Sequence, residues 1–259
     1  MNSRMGMLVM AAVAVVLASG CARKEAPPST GGTIATGSGP SFDPAAGTAA
    51  IRGTVGVEGK LPPVSKVRMN SDPYCAVTHK DPVDSEEVLV SGGRVENVFV
   101  YVKQGLEKHV FAPPAEAVTL TQEGCRFSPH VAGIMVGQRL AIVNNDPTLH
   151  NIRCVAANNP QFNLAQAVKG MRTEKTFGAP EVMVRMRCDV HRWMSSYFGV
   201  LPHPYFSVTG KDGAFALEDL PPGDYLLEAW HEFFGAQTQR VTVGDKETKE
   251  ITFTFKHGA

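Results

Sequence analysis

Apolar residues fall at every second position through several short stretches of the chain. In Val182-Met183-Val184-Arg185-Met186-Arg187-Cys188 the even positions are apolar and both arginines are odd. That is the period of a strand with one buried face. Residues 248–255 alternate in the same way. Further runs rich in branched and aromatic residues lie at 51–57, 87–90, 97–102, 117–120, 139–143, 225–230 and 239–243, with Gly, Pro, Asn and Asp between them. Strands at this spacing, separated by turn residues, predict an all-β chain built as a sandwich or barrel. The best helical stretch is 163–170, a short piece within a loop, and no internal repeat is sustained.

Residues 1–20 follow another pattern. Arg4 precedes an apolar run at 5–18, too short for an ordinary membrane span and typical of a secretory signal. Leu17-Ala18-Ser19-Gly20-Cys21 resembles a bacterial lipobox, with Ala18 where Leu is commonest. The resemblance implies lipidation of Cys21 and an extracytoplasmic, periplasmic protein. Ala22 in place of Asp points by the same analogy to the outer membrane. The segment 21–49 reads as a flexible tether: Gly, Ala, Ser, Thr and Pro dominate, and Ile34 and Phe42 are its only large apolar residues.

The chain has 259 residues, room for one large domain or two small ones. Lys+Arg and Asp+Glu are 25 each. A balanced charge argues against a nucleic-acid binder and against a polybasic membrane-surface protein. The hydrophobic fraction of 43% suffices for a packed core.

Candidate chemistry concentrates in Cys188-Asp-Val-His191-Arg-Trp-Met194. One loop after a strand carries a thiol, an imidazole and a thioether. These soft and borderline donors suit a copper ion that changes oxidation state. A second imidazole, His150, follows the turn Asn144-Asn145-Asp146-Pro147-Thr148-Leu149. Zinc fits less well, because Met is a poor zinc ligand.

These two segments resemble the cupredoxin family, which includes plastocyanin and amicyanin. The spacing Cys-x-x-His-x-x-Met with an aromatic residue before Met is the amicyanin form, and Trp193 holds the aromatic position. Val190 stands where the family usually has Pro. The resemblance implies a Greek-key β-sandwich over 50–208 holding one type 1 copper. His150, Cys188 and His191 would be equatorial ligands and Met194 the axial one. Asn151 would brace the ligand loop, and Trp193 would lie beside it. The implied function is single-electron transfer, with a c-type cytochrome or periplasmic dehydrogenase as redox partner. Catalysis is not expected, because Met194 would close the open coordination position that copper catalysis needs. By the same analogy His191 would reach solvent through an apolar patch including Trp193, Pro202 and Tyr205. Residues 97–102, 124–131 and 203–206 are similar to a subgroup labelled methylamine utilization proteins.

Residues 209–259 resemble a carboxypeptidase regulatory-like, transthyretin-like β-module, through Gly213-Ala-Phe215 and Leu220-Pro221-Pro222-Gly223-Asp-Tyr225. The match is shorter than a full module, and 50–66 resembles its missing first strand. Copper storage or delivery, and carbohydrate or protein binding by the β-modules, are the rival functions.

Cys75, Cys125 and Cys154 remain. Cys75 and Cys125 sit in turn-like contexts, and an exported protein meets an oxidising compartment, so a Cys75–Cys125 disulfide is expected. Cys154 is a buried thiol, an alternative disulfide partner or an unusual ligand. His130, His203 and His231 read as hydrogen-bonded structural imidazoles, with a second metal site or a gate for the first as the sharper alternative.

Overall fold

The strand Ala49–Gly59 buries Ile51 and Val55 and carries a partner on each edge. One edge pairs antiparallel with Ala214–Leu220 and then touches Arg94–Val95, while the other pairs in parallel with Thr248–His257 along its length. The computed structural model describes residues 37–258. The signal segment 1–20, Cys21 and the tether up to residue 36 lie outside the described residues.

A second sheet faces this one, in the order Phe206–Val208, Phe99–Gln104, Gly223–His231, Gly235–Val243. Ile51, Leu217, Phe253 and Phe255 from one side meet Val100, Val102, Leu227 and Val241 from the other. The division expected at 208/209 is not the one that strand pairing follows. Phe99–Gln104 lies within the expected cupredoxin segment, yet it pairs with Gly223–His231 from the C-terminal segment. Ala49–Gly59 and Gly223–His231 belong to facing sheets that share this core.

A separate sandwich holds the chemistry-bearing residues. One sheet runs Arg172–Thr176, Arg139–Asn144, Val118–Glu123, Arg126–Ser128. The other runs Phe162–Gln166, His150–Val155, Glu181–Arg187, Ser195–Leu201, Val131–Met135. Leu120, Ile142, Ile152, Val184, Met186 and Phe198 fill the space between them. The alternation seen around residue 185 has its cause here: Val184 and Met186 are buried, and the arginines on either side are half-buried. The chain is all-β, as the periodicity predicts.

The two sandwiches meet at a pair of glycines. Gly133 and Gly199 are register partners on adjacent parallel strands. A Cβ on Gly199 would stand 2.3 Å from the Phe99 ring, and one on Gly133 would stand 2.2 Å from the Phe206 ring. The two rings stack with centroids 5.6 Å apart, so close packing of the sheets needs both positions bare.

Two expectations are corrected. Residues 163–170 do not form a helix. Phe162–Gln166 is a strand in which Phe162, Leu164 and Gln166 share the more buried face, and it pairs with His150–Val155. The α-helix among the described residues is Pro73–Thr78, where Asp72 caps the N-terminus by accepting from the N–H groups of Tyr74 and Cys75. Residues 37–49, read from composition as tether, are hydrogen-bonded to the body. Ser38 N–H donates to Glu107 O at 3.1 Å and Phe42 N–H to Val110 O at 2.8 Å. The Phe42 ring packs on Phe111.

Candidate metal centre

Asn144 ends its strand fully buried, and its side chain shapes the turn that follows. Its Oδ1 accepts from Asp146 N–H at 2.9 Å, and its Nδ2 donates to Thr148 O and Gln166 O, each at 3.0 Å. The turn delivers His150 to the first position of His150–Val155. Across the sheet, Glu181–Arg187 leads into a loop closed at both ends. Cys188 N–H donates to Met194 O at 3.2 Å, and Met194 N–H donates to His191 O at 2.9 Å.

The three donors converge through specific atoms. His150 Nδ1 lies 2.9 Å from His191 Nδ1, and Cys188 Sγ lies 3.9 Å from His191 Nδ1. The set fits within 4.8 Å. His150, Cys188, His191 and Met194 are all buried, and the Met194 side chain belongs to the same core as Cys188. The sulfur of Cys188 faces the N–H groups of Asn151 at 3.5 Å and His191 at 3.3 Å. Asn151 Oδ1 accepts from Asp189 N–H at 2.6 Å and Val190 N–H at 3.4 Å. It therefore ties His150–Val155 to the loop after Glu181–Arg187. Two imidazole nitrogens turned toward each other beside a thiol, away from water, fit a soft or borderline cation. The His150, Cys188, His191 and Met194 cluster resembles a type 1 copper site.

The other imidazole edges meet carboxylates. His150 Nε2 donates to Asp146 Oδ2 at 2.9 Å, which leaves Nδ1 free to ligate. His191 Nε2 stands 3.6 Å from Asp72 Oδ2 and makes no hydrogen bond. Burial pushes the Asp146 carboxyl up, but hydrogen bonds from Cys125 N–H, His150, Gly124 N–H and Tyr74 hold it below the usual carboxylate range. Burial and then the neighbouring His150 pull the His191 imidazole down, against the opposing charge of Asp72.

A lid carries Asp72. The strands Lys66–Val67 and Val83–Asp84 pair, and Pro73–Thr78 lies between them in sequence. Cys75 and Cys125 form a disulfide that fastens this lid to the sandwich. Gly124 and Cys125 both have positive φ, 57° each, in the tight turn joining Val118–Glu123 to Arg126–Ser128. That turn aims both N–H groups at Asp146, each 2.8 Å from a carboxylate oxygen. Trp193 Nε1 donates to Cys125 O at 2.9 Å, and its ring centre is 5.1 Å from that of His191.

One expectation fails here. His191 is 1% exposed and lies beneath the lid, so it has no solvent-facing edge. Tyr205 belongs to the other sandwich, where its hydroxyl donates to Asp219 O. No apolar patch of Trp193, Pro202 and Tyr205 surrounds His191.

The remaining groups have structural surroundings. Cys154 is a free, buried thiol in the sandwich core, pushed up to about 12 by burial and by Glu181. His203 Nε2 donates to Val102 O and its Nδ1 accepts from Tyr205 N–H. His231 Nδ1 accepts from the N–H groups of Phe233 and Phe234. His130 pairs with Glu232 and contacts Ser195 O. None of these imidazoles joins a metal-capable group among the described residues. Sequence reasoning missed Asp72 and Asp146. Asp146 could have been found, because it lies four residues before His150 in the same turn. Asp72 faces His191 only through the tertiary fold.

No family model matches the chain, and no curated protein matches it. Solved structures do. A novel purple cupredoxin from Nitrosopumilus maritimus is 22% identical, over 32% of this chain and 98% of its own, with a TM-score of 0.28. A Cu(I) mutant of amicyanin is 17% identical, over 32% of this chain and 81% of its own, with a TM-score of 0.29. A Cu-containing nitrite reductase from Thermus scotoductus is 21% identical, over 48% of this chain and 28% of its own, with a TM-score of 0.32. About a third of the chain is similar in structure to cupredoxins.

Proposed function

We propose that this protein carries single electrons on one type 1 copper ion held by His150, Cys188, His191 and Met194. The observation that carries the reading is the convergence of two Nδ1 atoms and one sulfur in a buried set with Met194 beside it. Bound copper would supply a one-electron couple between Cu(I) and Cu(II). The chain's own contribution is rigidity. Asp146 fixes the tautomer and orientation of His150. Asn151 holds the loop 188–194 against the strand His150–Val155. Burial keeps water from the donors. A donor set held in one geometry suits both oxidation states and lowers the rearrangement that electron transfer requires.

The role is carriage rather than catalysis, because Met194 would hold bound copper together with the two imidazoles and the thiol and would leave no open position for a substrate. The redox partner belongs to the class of c-type cytochromes or periplasmic dehydrogenases. Lipid on Cys21 anchors the protein in the periplasm, on the outer membrane.

The test is the visible spectrum of the mature chain after Cu(II) is added. An intense charge-transfer band lost in Cys188→Ser is the expected result. A colourless protein without tight copper overturns the reading. Copper storage or delivery is the second reading, favoured by the lid over His191. It predicts rapid exchange of the metal with a chelator, where the electron carrier retains it.

A further inference from the structure

The lid brings a second set of soft donors to the same end of the sandwich. Cys75 and Cys125 are fully buried, and Met69 packs with them in a small cluster of their own, 3% exposed. Tyr74, Val67, Val83 and Trp193 pack against these three residues. Two further groups of potential ligand atoms each fit within 4.8 Å: Asp72, Cys75 and His191 in one, Cys125, Asp146 and His150 in the other. Each shares an imidazole with the first donor set.

The arrangement repeats on both arms. Cys75 N–H donates to Asp72, whose other oxygen faces His191 Nε2. Cys125 N–H donates to Asp146, whose same oxygen accepts from His150 Nε2. The disulfide therefore joins the two carboxylates that stand behind the two imidazoles.

We infer that the reduced Cys75–Cys125 pair, with Met69, forms a second, redox-gated site for Cu(I). Two thiolates and a thioether are the softest donors available in a protein, and they select a monovalent soft cation. Oxidised, the pair is a covalent staple and offers no thiolate. Reduced by a dithiol, the Cys75–Cys125 S–S bond breaks. Two electrons and two protons pass from the dithiol to the cysteines, and the dithiol becomes a disulfide. Cu(I) then displaces the thiol protons. The lid is small enough to open locally: two strands of two residues and a helix of six, over a cluster of few apolar side chains.

The inference deepens the copper reading but is tested apart from it, in the full mature chain carrying Cys188→Ser, where the first site lacks its thiolate. The protein is treated anaerobically with a dithiol, freed of it, and titrated with Cu(I) against a chromophoric Cu(I) chelator. The reduced form is expected to take up one equivalent more than the oxidised form. X-ray absorption at the copper edge should then show sulfur scattering. Cys125→Ser abolishes the additional equivalent. Met69→Leu, which keeps the lid's packing volume, weakens it about tenfold. Equal uptake by the reduced and oxidised forms overturns the inference, as does additional uptake that survives Cys125→Ser. Neither result touches the visible band of the wild-type Cu(II) protein, so failure here and failure of the electron-carrier reading are distinguishable.

Discussion

His150 and His191 turn the same nitrogen toward each other, Nδ1 to Nδ1, at 2.9 Å. The orientation of His150 is imposed from behind by Asp146, which accepts a hydrogen bond from Nε2. His191 has no such hydrogen bond; the lid and the neighbouring Trp193 ring hold it instead. The two imidazoles are therefore positioned by unlike means.

Removing the carboxylate behind His150 should cost metal affinity without removing a ligand. Asp146→Asn keeps the shape of the side chain but loses its charge and one acceptor. Loss of such an outer partner lowers metal affinity by roughly 10- to 100-fold. Competition with a Cu(II) chelator measures it. Wild-type affinity in Asp146→Asn would show that packing alone orients His150.

Asn151 should matter for stability even without metal. Its Oδ1 is the acceptor for Asp189 N–H and Val190 N–H. Asn151→Ala leaves these donors unmatched beside a buried thiol, a loss of about 1–3 kcal/mol. The midpoint of urea unfolding of the apo protein should fall accordingly. The visible band of the copper-loaded variant should shift or broaden as the loop loosens. An unchanged midpoint would mean that the loop is held by its own backbone hydrogen bonds.

The contact between the sandwiches should tolerate no side chain at residue 199. Gly199→Ala drives a methyl group into the Phe99 ring, 2.3 Å from the ideal Cβ position. Overpacking of this kind costs about 1–3 kcal/mol. Calorimetry should show a lower unfolding temperature while the visible band of the loaded protein persists. That result would separate the joint between the sandwiches from the metal centre.

Much of the candidate centre was legible because its donors lie in two short segments. Cys188, His191 and Met194 occupy one loop, so local pattern groups them, while His150 follows a distant polar turn and joined them through the cupredoxin resemblance. The lid was not legible. Asp72 and His191 are far apart in sequence, and no periodicity marks Asp72 as a neighbour of an imidazole. The expected solvent-exposed edge of His191 failed for that reason. The strand at 162–166 was misread because Leu164 and Gln166 follow no clear apolar alternation. Gln166 is nonetheless buried, donating to Ile142 O. The assignment of Phe99–Gln104 to the second sheet of the other sandwich depends on partners more than a hundred residues away, which only the folded topology supplies.

Buried histidines outside the centre should give stability two opposing pH dependences. Burial pulls His203 and His231 down to about 4, and both are held neutral by backbone hydrogen bonds. In the unfolded chain they titrate near 6.5, about the reference value for imidazole. Their contribution is therefore present above about pH 6.5 and lost as the pH falls toward about 4, because the unfolded state binds the additional protons. His130 runs the other way. Burial alone would lower it, but the hydrogen bond and charge of Glu232, with Glu86, hold it above its ordinary value. Its contribution is complete below about pH 6.5 and is lost as the pH rises through its folded value. Urea midpoints of the apo protein across this range should show the acid-side loss reduced in His203→Gln. The loss on the alkaline side should be reduced in His130→Gln, with the acid limb left as in the wild type. If His203→Gln leaves the acid limb as steep as before, the carboxylates alone govern acid unfolding and the neutral state of His203 contributes nothing.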